Sequence, residues 1–242
     1  MYILNMFKIR KAASMANESS KETKGLKADR TRQKILEVAF RLFREQGYEK
    51  ATMRSIAKAA GLAPGAAYYH FDTKEHIIFA FYEMSYEEHL PIVEKVLAKE
   101  TRLAQRLAGT VKAHMQIAGH YHEMSKVLLS TAINPDNSLS PFSASSKELR
   151  DKNIEIFRRV LEGTAERIPE GLKDKLPEIL WMFKMGMILY WVCDKSPNQR
   201  KTNELIDRSC ALVARLILLS NLPVLRGFSE QIVKMFYAYK FY

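Results

Sequence analysis

Two short helical segments on either side of one glycine constrain the fold of this chain more than any other feature. Thr52 is a favoured N-cap for a helix over residues 53–60, and Gly61 stands where helices commonly end in a left-handed residue. Pro64 opens the next short helix, at a position where its missing N–H costs no hydrogen bond. Two short helices joined by a tight glycine turn form a helix-turn-helix. Its second helix, residues 64–70, would place its first residues at base edges in the major groove.

The remainder of the chain reads as one helix after another. Apolar residues recur at helical spacing, and no segment shows the strict alternation that is typical of a strand. Pro91 is predicted to end the helix that begins near residue 74, because the residue before a proline avoids helical conformation. The predicted helices beyond the motif cover about 74–89, 91–119, 120–133, 144–168, 173–194, 201–220 and 228–240.

These segments predict an all-α protein with a small N-terminal unit and a larger helical unit. Residues 1–28 are polar and lack apolar periodicity, so we expect a flexible basic tail. Residues 29–75 form the predicted helix-turn-helix DNA-binding domain. Residues 76–242 form the second predicted domain, to which the arguments below assign effector binding and dimerisation.

The charge of the chain favours an anionic partner. It carries 38 Lys and Arg against 27 Asp and Glu, a formal charge of +11, which suits nucleic acid or a membrane surface. The apolar run 179–193 is shorter than the ~20 residues of a membrane span and contains Lys184. Cys193 and Cys210 cannot form a disulfide framework, which suits a reducing compartment. We therefore expect a cytoplasmic protein with no membrane partner.

The segment from Thr52 to Glu75 resembles the signature of TetR-type repressors, and the resemblance extends over residues 30 to about 85. In that family a segment with glycine, tyrosine and phenylalanine precedes a Lys-Glu or Lys-Asp pair. Carried over by position, the resemblance implies contacts to phosphates or bases from Thr52 (through its backbone N–H), Arg54, Gly65, Tyr68, Tyr69, His70 and Lys74. Hydroxyl, imidazole, ammonium and backbone N–H groups are all donors to phosphate, and an arginine can pair with guanine.

The second helix of the motif departs from the family pattern. Ala67 stands where a large aliphatic residue is usual, and Ala66 where a polar one is frequent. We therefore expect Pro64 and Ala66 to contact thymine methyl groups, with Arg54 and DNA shape supplying most other discrimination. The basic stretch 21–34 could add a minor-groove or phosphate arm.

Two later helices predict self-association. Residues 173–194 are apolar nearly all round, and residues 201–220 carry two apolar stripes. One layer of helices cannot cover that much apolar surface, so we expect a two-fold dimer that pairs these helices as a four-helix bundle. Dimers of this kind are also what the family resemblance implies. Such a dimer presents two reading helices to a palindromic DNA operator.

An apolar pocket is predicted beside the first of these helices. Soft and aromatic side chains there suit an adaptable site for a small apolar effector, although each alone is as consistent with ordinary core. The predicted lining residues are Met115, Tyr121, Met124, Leu128, Met182, Met185, Tyr190 and Trp191.

The sequence offers no sign of catalysis, a cofactor or a metal. We find no Gly-rich phosphate loop and no nucleophile–base motif, so the chain is not expected to be an enzyme. His114, His120 and His122 do not share one helix face, so a metal site is not expected either.

Together these features predict a ligand-responsive transcriptional repressor that is released from its operator when an effector tilts the helix near residues 74–89. Two alternatives stay open: a ligand that strengthens DNA binding, or a regulator without a ligand. A more remote alternative is a basic helical protein of lipid surfaces.

Overall fold

The computed structural model of this chain describes residues 21–119, 122, 125–126, 128–129 and 137–239, with only the backbone at 21–27, 223, 226 and 228. Over these residues the protein is helical, without a strand. The helices are α1 Lys21–Gln46, α2 Met53–Ala59, α3 Pro64–His70, α4 Lys74–Lys99, α5 Leu103–Gly119, α6 Lys147–Glu162, α7 Glu170–Lys173, α8 Leu176–Cys193, α9 Arg200–Leu219 and α10 Pro223–Tyr239.

The first unit is α1 to α3 packed on the N-terminal half of α4. Its core includes Ile35, Phe43, Ile56 and Ala67, all inaccessible to solvent. Gly61 has a φ of +66°, so a left-handed residue makes the turn between α2 and α3 as the motif predicts.

Helix α1 begins earlier than expected. The predicted tail 1–28 is wrong over residues 21–28, which lie in α1, while residues 1–20 lie outside the described residues. The segment Lys21–Lys24 contains good helix formers. Extending a helix that tertiary contacts already hold requires no new nucleation, which explains why this polar stretch is helical.

Pro91 does not end the fourth helix, so the predicted break at this proline is wrong. α4 runs on to Lys99 with Pro91 inside it. The proline is exposed, so its ring and the missing hydrogen bond face solvent. Packing holds the helix on both sides of the proline, because Ile78 is buried in the first core and Val93 in the second unit.

The break after α4 is organised by a buried arginine. Arg106 is 4% exposed, and its guanidinium donates to the carbonyls of Leu97 and Glu100 at 2.8 Å each. It also donates to the carbonyls of Arg159 at 2.8 Å and Val160 at 2.9 Å. One side chain thus donates to carbonyls near the C-terminal ends of both α4 and α6, where intrahelical donors run out.

The second unit packs α5 against α4 and α9, and α6 against α8. The observed α8 and α9 agree with the predicted helices to within three residues, whereas α6 is shorter at both ends. Pro223 opens α10 instead of preceding it, as suits a first helical position. Of the predicted helix 120–133, residues 122, 125–126 and 128–129 are described, and they are helical.

Helix α8 is long and apolar enough to cross a membrane by length and composition alone, with a mean hydropathy of 1.3. Its Leu180, Trp181 and Trp191 are nevertheless buried among the other helices. This is the environment of a core helix, as the sequence predicts.

Candidate DNA-binding surface and effector cavity

The exposed face of α3 carries the two tyrosines of the motif. Tyr69 is 83% exposed and Tyr68 is 45% exposed, while Ala67 is buried against the rest of the unit. His70 is partly buried, and its ring stacks edge-on against Tyr69 with centroids 5.2 Å apart. The start of the helix, Pro64 and Gly65, is also exposed. Both phenols and the start of the helix are therefore accessible. Two tyrosines about 100° apart on a helix require only one of them to face outward, so the exposure of both exceeds that requirement.

Helix α2 carries Arg54, the residue that the resemblance assigns to a base contact. Arg54 is exposed and has no hydrogen-bond or ion-pair partner among the described residues. Thr52 forms a capping box, in which its hydroxyl accepts from the N–H of Ser55 at 3.1 Å and its own N–H donates to Ser55 Oγ at 3.0 Å. The backbone N–H that the resemblance assigns to a phosphate thus already has a partner within α2.

Lys74 lies in a less accessible place than the sequence suggested. Its side chain is 20% exposed, and its Nζ donates to the carbonyl oxygens of Tyr48 at 2.9 Å and Glu49 at 3.3 Å. The ammonium also lies 4.2 Å from the centroid of the Tyr48 ring. The first contribution of Lys74 is therefore to bind the start of α4 to the turn after α1.

Glu75 completes this junction. Its Oε1 accepts from the Tyr48 hydroxyl at 2.7 Å. Burial would raise the pKa of Glu75, but the hydrogen bonds from Tyr48, Thr73 and the backbone, together with the charge of Lys74, lower it overall. The same burial and hydrogen bond raise the pKa of Tyr48 well above its usual value. The Lys74–Glu75 pair of the motif thus joins the helix-turn-helix to α4, which the sequence did not indicate.

A cavity of about 190 Å³ lies between α4, α5, α6 and α8. Three of the predicted residues line it: Leu128, Met185 and Trp191. Three others do not. Met115 is buried in the core, Met182 packs against that core, and Tyr190 is 40% exposed on the outside. Tyr121 and Met124 lie outside the described residues.

The face of α8 explains these misses. The residues of α8 that line the cavity are Trp181, Lys184, Met185, Ile188, Trp191 and Val192, which recur at spacings of three and four. The predicted lining included Met182 and Tyr190 from other faces of α8, because the helix is apolar nearly all round and its sequence does not single out one face. A strict choice of one helical face would have found the lining.

Sequence reasoning also missed the polar groups of the cavity. Lys184, His89, His114 and Asn153 all line it, and Lys184 is only 3% exposed. Burial lowers the pKa of Lys184 to about 7. Burial, together with the nearby Lys184, lowers the pKa of His89 to about 4 and holds that of His114 well below its ordinary value. Within the described residues, no three His, Cys, Asp or Glu side chains are grouped as metal ligands.

The outer face of α8 and α9 is apolar and uncovered in the single chain. One stripe of α9 is buried and includes Ile206, Cys210 and Ile217. The other stripe is open to solvent, and the exposed residues of this face are Leu189, Tyr190, Leu212, Leu216 and Leu219, at 40–57%. We refer to these five residues as the outer apolar face.

Comparison with known protein families identifies both units. The sequence model described as "Bacterial regulatory proteins, tetR family" matches residues 35–81. The model described as "Tetracyclin repressor-like, C-terminal domain" matches residues 106–234, more than half of the chain.

Individual relatives agree with this assignment over parts of their length. The chain is 47% identical to the transcriptional regulator AcrR of Shigella flexneri over 58 residues, which are 24% of this chain and 27% of that protein. It is 23% identical to the fatty acid metabolism regulator protein of Bacillus subtilis over 128 residues, 53% of this chain and 57% of that protein. The match thus spans about a quarter of the length of AcrR and somewhat over half of the length of the fatty acid metabolism regulator.

Solved structures share the fold. A TetR-family regulator from Syntrophomonas wolfei superimposes with a TM-score of 0.62 at 20% identity, covering 77% of this chain and 95% of that one. The fatty acid degradation regulator FadR of Bacillus halodurans gives 0.59 at 17% identity, covering 74% and 94%. Given the exposed helix-turn-helix, the helical second unit and the two family matches, this chain belongs to the TetR family of transcriptional regulators and is not an enzyme.

Proposed function

We propose that this regulator is a cytoplasmic homodimeric repressor that binds a palindromic operator and leaves it when a small molecule occupies the cavity between α4, α5, α6 and α8. Repressors occur among its relatives, including the repressor AcnR of Corynebacterium glutamicum, which is 46% identical over 56 residues. That match covers only 23% of this chain, so the effector must be argued from the second unit itself.

The observation that carries this proposal is the double contact of α4. At its N-terminus, Lys74 and Glu75 bind Tyr48 of the first unit. Further along, Phe81, Tyr82, Ser85, Tyr86 and His89 form one wall of the cavity. The helix has 26 residues and is about 39 Å long, so a small tilt at the cavity is a larger displacement at its end. A ligand that prefers one tilt shifts the population of DNA-binding states by its difference in affinity.

Contacts to DNA are assigned to the exposed face of the first unit. Tyr68, Tyr69 and His70 donate to phosphates, and Arg54 reaches a base edge, where its fork can pair with guanine O6 and N7. Pro64 and Ala66 offer only methylene and methyl groups to thymine. Because α3 brings no polar side chain at its start, much of the operator's sequence preference is assigned to DNA shape.

The outer apolar face supports dimerisation. Five large apolar side chains of α8 and α9 are exposed, and monomers seldom leave extended apolar surface open. A two-fold axis would place α8 and α9 against their copies as a four-helix bundle. This arrangement holds two α3 helices at a fixed separation, as two half-sites of an operator require.

The test is operator selection with the purified full-length protein. Genomic fragments are retained by the protein, sequenced and confirmed by gel shift, starting with the region upstream of its own gene. We expect a site with two-fold symmetry and a dimer mass in light scattering. Failure to select any palindromic site, or a monomer that binds DNA as well as a dimer does, would overturn the proposal.

A further inference from the structure

The cavity contains a buried ammonium group with few partners. Lys184 is 3% exposed, and its Nζ donates to Asn153 Oδ1 at 2.7 Å. The Asn153 amide is held in this orientation because its Nδ2 donates to the carbonyl of Leu149 at 2.9 Å. The other described contact is the face of Phe157, whose centroid lies 5.9 Å from Nζ. An ammonium has three N–H donors, so two of them have no acceptor among the described residues.

A second polar atom in the cavity wall is also unpaired. Nδ1 of His114 is buried and has no hydrogen-bond partner in the described part of the chain. His114 and Lys184 both line the cavity, and the ring of His114 stacks edge-on against His89 with centroids 5.4 Å apart. Buried polar groups are normally hydrogen-bonded, so the unpaired N–H groups of Lys184 and the unpaired Nδ1 of His114 in the lining of one cavity indicate a missing partner.

The charge of the side chains that line the cavity indicates the charge of that partner. The described lining includes Lys184 and Arg150 but neither Asp nor Glu. A buried cation without a counter-charge is unfavourable, and a bound anion removes that penalty. The rest of the lining is largely apolar or aromatic, including Phe81, Ile117, Leu128, Trp181, Ile188 and Trp191.

We propose that the effector is an amphipathic carboxylate, which places its two oxygens against Lys184 Nζ and His114 Nδ1 and its hydrocarbon tail among the tryptophans. Calling this ligand an effector rests on the proposed function, whereas its binding does not. A purely apolar effector, which the sequence predicts, would leave two N–H groups of Lys184 and the Nδ1 of His114 without partners, so the amphipathic carboxylate replaces it. His114 contributes as the neutral tautomer that carries its proton on Nδ1.

The cavity provides its own probe for a binding test. The protein has two tryptophans, Trp181 and Trp191, and both line the cavity, so their fluorescence reports its occupancy. The full-length protein is titrated without DNA against decanoate, decanol and decylammonium. We expect decanoate to bind about tenfold more tightly than decanol, since charge-assisted hydrogen bonds are worth more than neutral ones. Decylammonium should bind least. From hexanoate to longer acids, affinity should rise about fourfold for each methylene until the cavity is full.

Two variants locate the carboxylate. Lys184→Met keeps the length of the side chain and should abolish the preference for decanoate while retaining decanol binding. Lys195→Met, at an exposed position, makes the same change in net charge and should keep the tenfold preference. If Lys184→Met does not fold, as judged by circular dichroism, the preference of the unaltered protein for decanoate over decanol and decylammonium decides the question.

Equal affinity for decanoate and decanol, or an unchanged preference in Lys184→Met, would overturn the inference. Neither result touches the proposed function, which stands or falls on operator selection by the ligand-free dimer. Conversely, a protein that binds decanoate through Lys184 but selects no operator would retain this site and lose its assignment as a repressor.

Discussion

Between residues 28 and 88, every side chain that the structure shows as buried is apolar or aromatic, whereas beyond residue 88 the buried set includes His89, Arg106, Lys184 and Asp194. Every ionic side chain described in the first unit is at least partly accessible, from the half-buried Lys74 and Glu75 at the junction to the exposed Arg54. The second unit places ionic groups inside, where they hold helix ends or face a cavity. The two units therefore differ in where their ionic side chains lie: they are accessible in the first unit and partly enclosed in the second.

This contrast predicts where substitutions affect stability and where they affect binding. Surface changes in the first unit should alter DNA recognition and leave the free energy of unfolding nearly unchanged. Changes to Arg106 or Asp194, the buried ionic groups of the second unit with several protein partners, should lower that free energy because those partners are left unpaired in the interior.

Replacement of Arg106 should have the largest effect. Arg106→Met removes four hydrogen bonds to backbone carbonyls in the interior, and we expect the free energy of unfolding to fall by about 4 kcal/mol. Urea denaturation followed by circular dichroism measures this loss. The matched control is Arg102→Met, which removes an exposed arginine 3.7 Å from Glu166 and should cost under about 1 kcal/mol. Similar losses in both variants would contradict a special role for the buried guanidinium.

Asp194 should come next. Its carboxylate accepts from the Thr202 N–H at 2.9 Å, the Thr202 hydroxyl at 2.6 Å and the Ser196 N–H at 2.8 Å, linking α8 to α9. We expect Asp194→Ala to lower the free energy of unfolding by about 3 kcal/mol at pH 7. The exposed Asp174→Ala serves as control and should change it by under about 0.5 kcal/mol.

The same group makes a pH prediction. Burial would raise the pKa of Asp194, but the hydrogen bonds from Thr202 and Ser196 lower it below the ordinary 3.8. Its contribution is therefore complete above about pH 5 and is lost as the pH falls through 3.8 towards the folded-state pKa. Denaturation at pH 7 and pH 3 should show the unaltered protein losing more stability than Asp194→Ala. Parallel losses would show that the carboxylate has an ordinary pKa.

Arg54 tests the other side of the comparison. Arg54→Ala should leave unfolding unchanged and relax the preference at one base pair of each half-site, by about 2 kcal/mol. Competition gel shifts with single-base operator variants measure this. Arg167→Ala removes an exposed arginine of the second unit and should leave the preference intact. If Arg54→Ala instead weakens all sequences equally, Arg54 contacts a phosphate rather than a base.

Tyr48 provides the smallest effect and a boundary case. Tyr48 is 5% exposed, and Tyr48→Phe removes its hydrogen bond to Glu75 at the start of α4. We expect a loss of about 1 kcal/mol in urea denaturation. Tyr69→Phe, at an 83% exposed position, should be neutral for stability. A loss at Tyr48 as large as that at Arg106 would erase the contrast between the two units.

Features that depend on neighbouring residues were largely predictable. The N-cap at Thr52, the left-handed Gly61 and Pro64 at a helix start are set by the local backbone, and the structure confirms all three. The exposure of at least one of Tyr68 and Tyr69 followed from their lying about 100° apart on one helix. Pro91 misled the same reasoning, because its local preference is overruled by packing on both sides of α4.

The cavity was predictable only in outline. The sequence placed it beside α8, but the polar partner of Lys184 in the cavity is Asn153, which lies 31 positions away along the chain. A lysine within an apolar run resembles a solvated residue until the helices around it are known. The junction of Lys74 with Tyr48 is hidden in the same way, because the two residues lie 26 positions apart.

Caps, turns and helical periodicity act over a few residues and need no distant partner. The all-α fold and the exposed helix-turn-helix could therefore be predicted from the sequence. The face of α8 that lines the cavity, the cationic side chains in that lining and the end of α4 at Lys99 could be seen only in the folded structure. Those outcomes depend on side chains brought together from far along the chain, and the free energy of burying a charge depends on all of them at once.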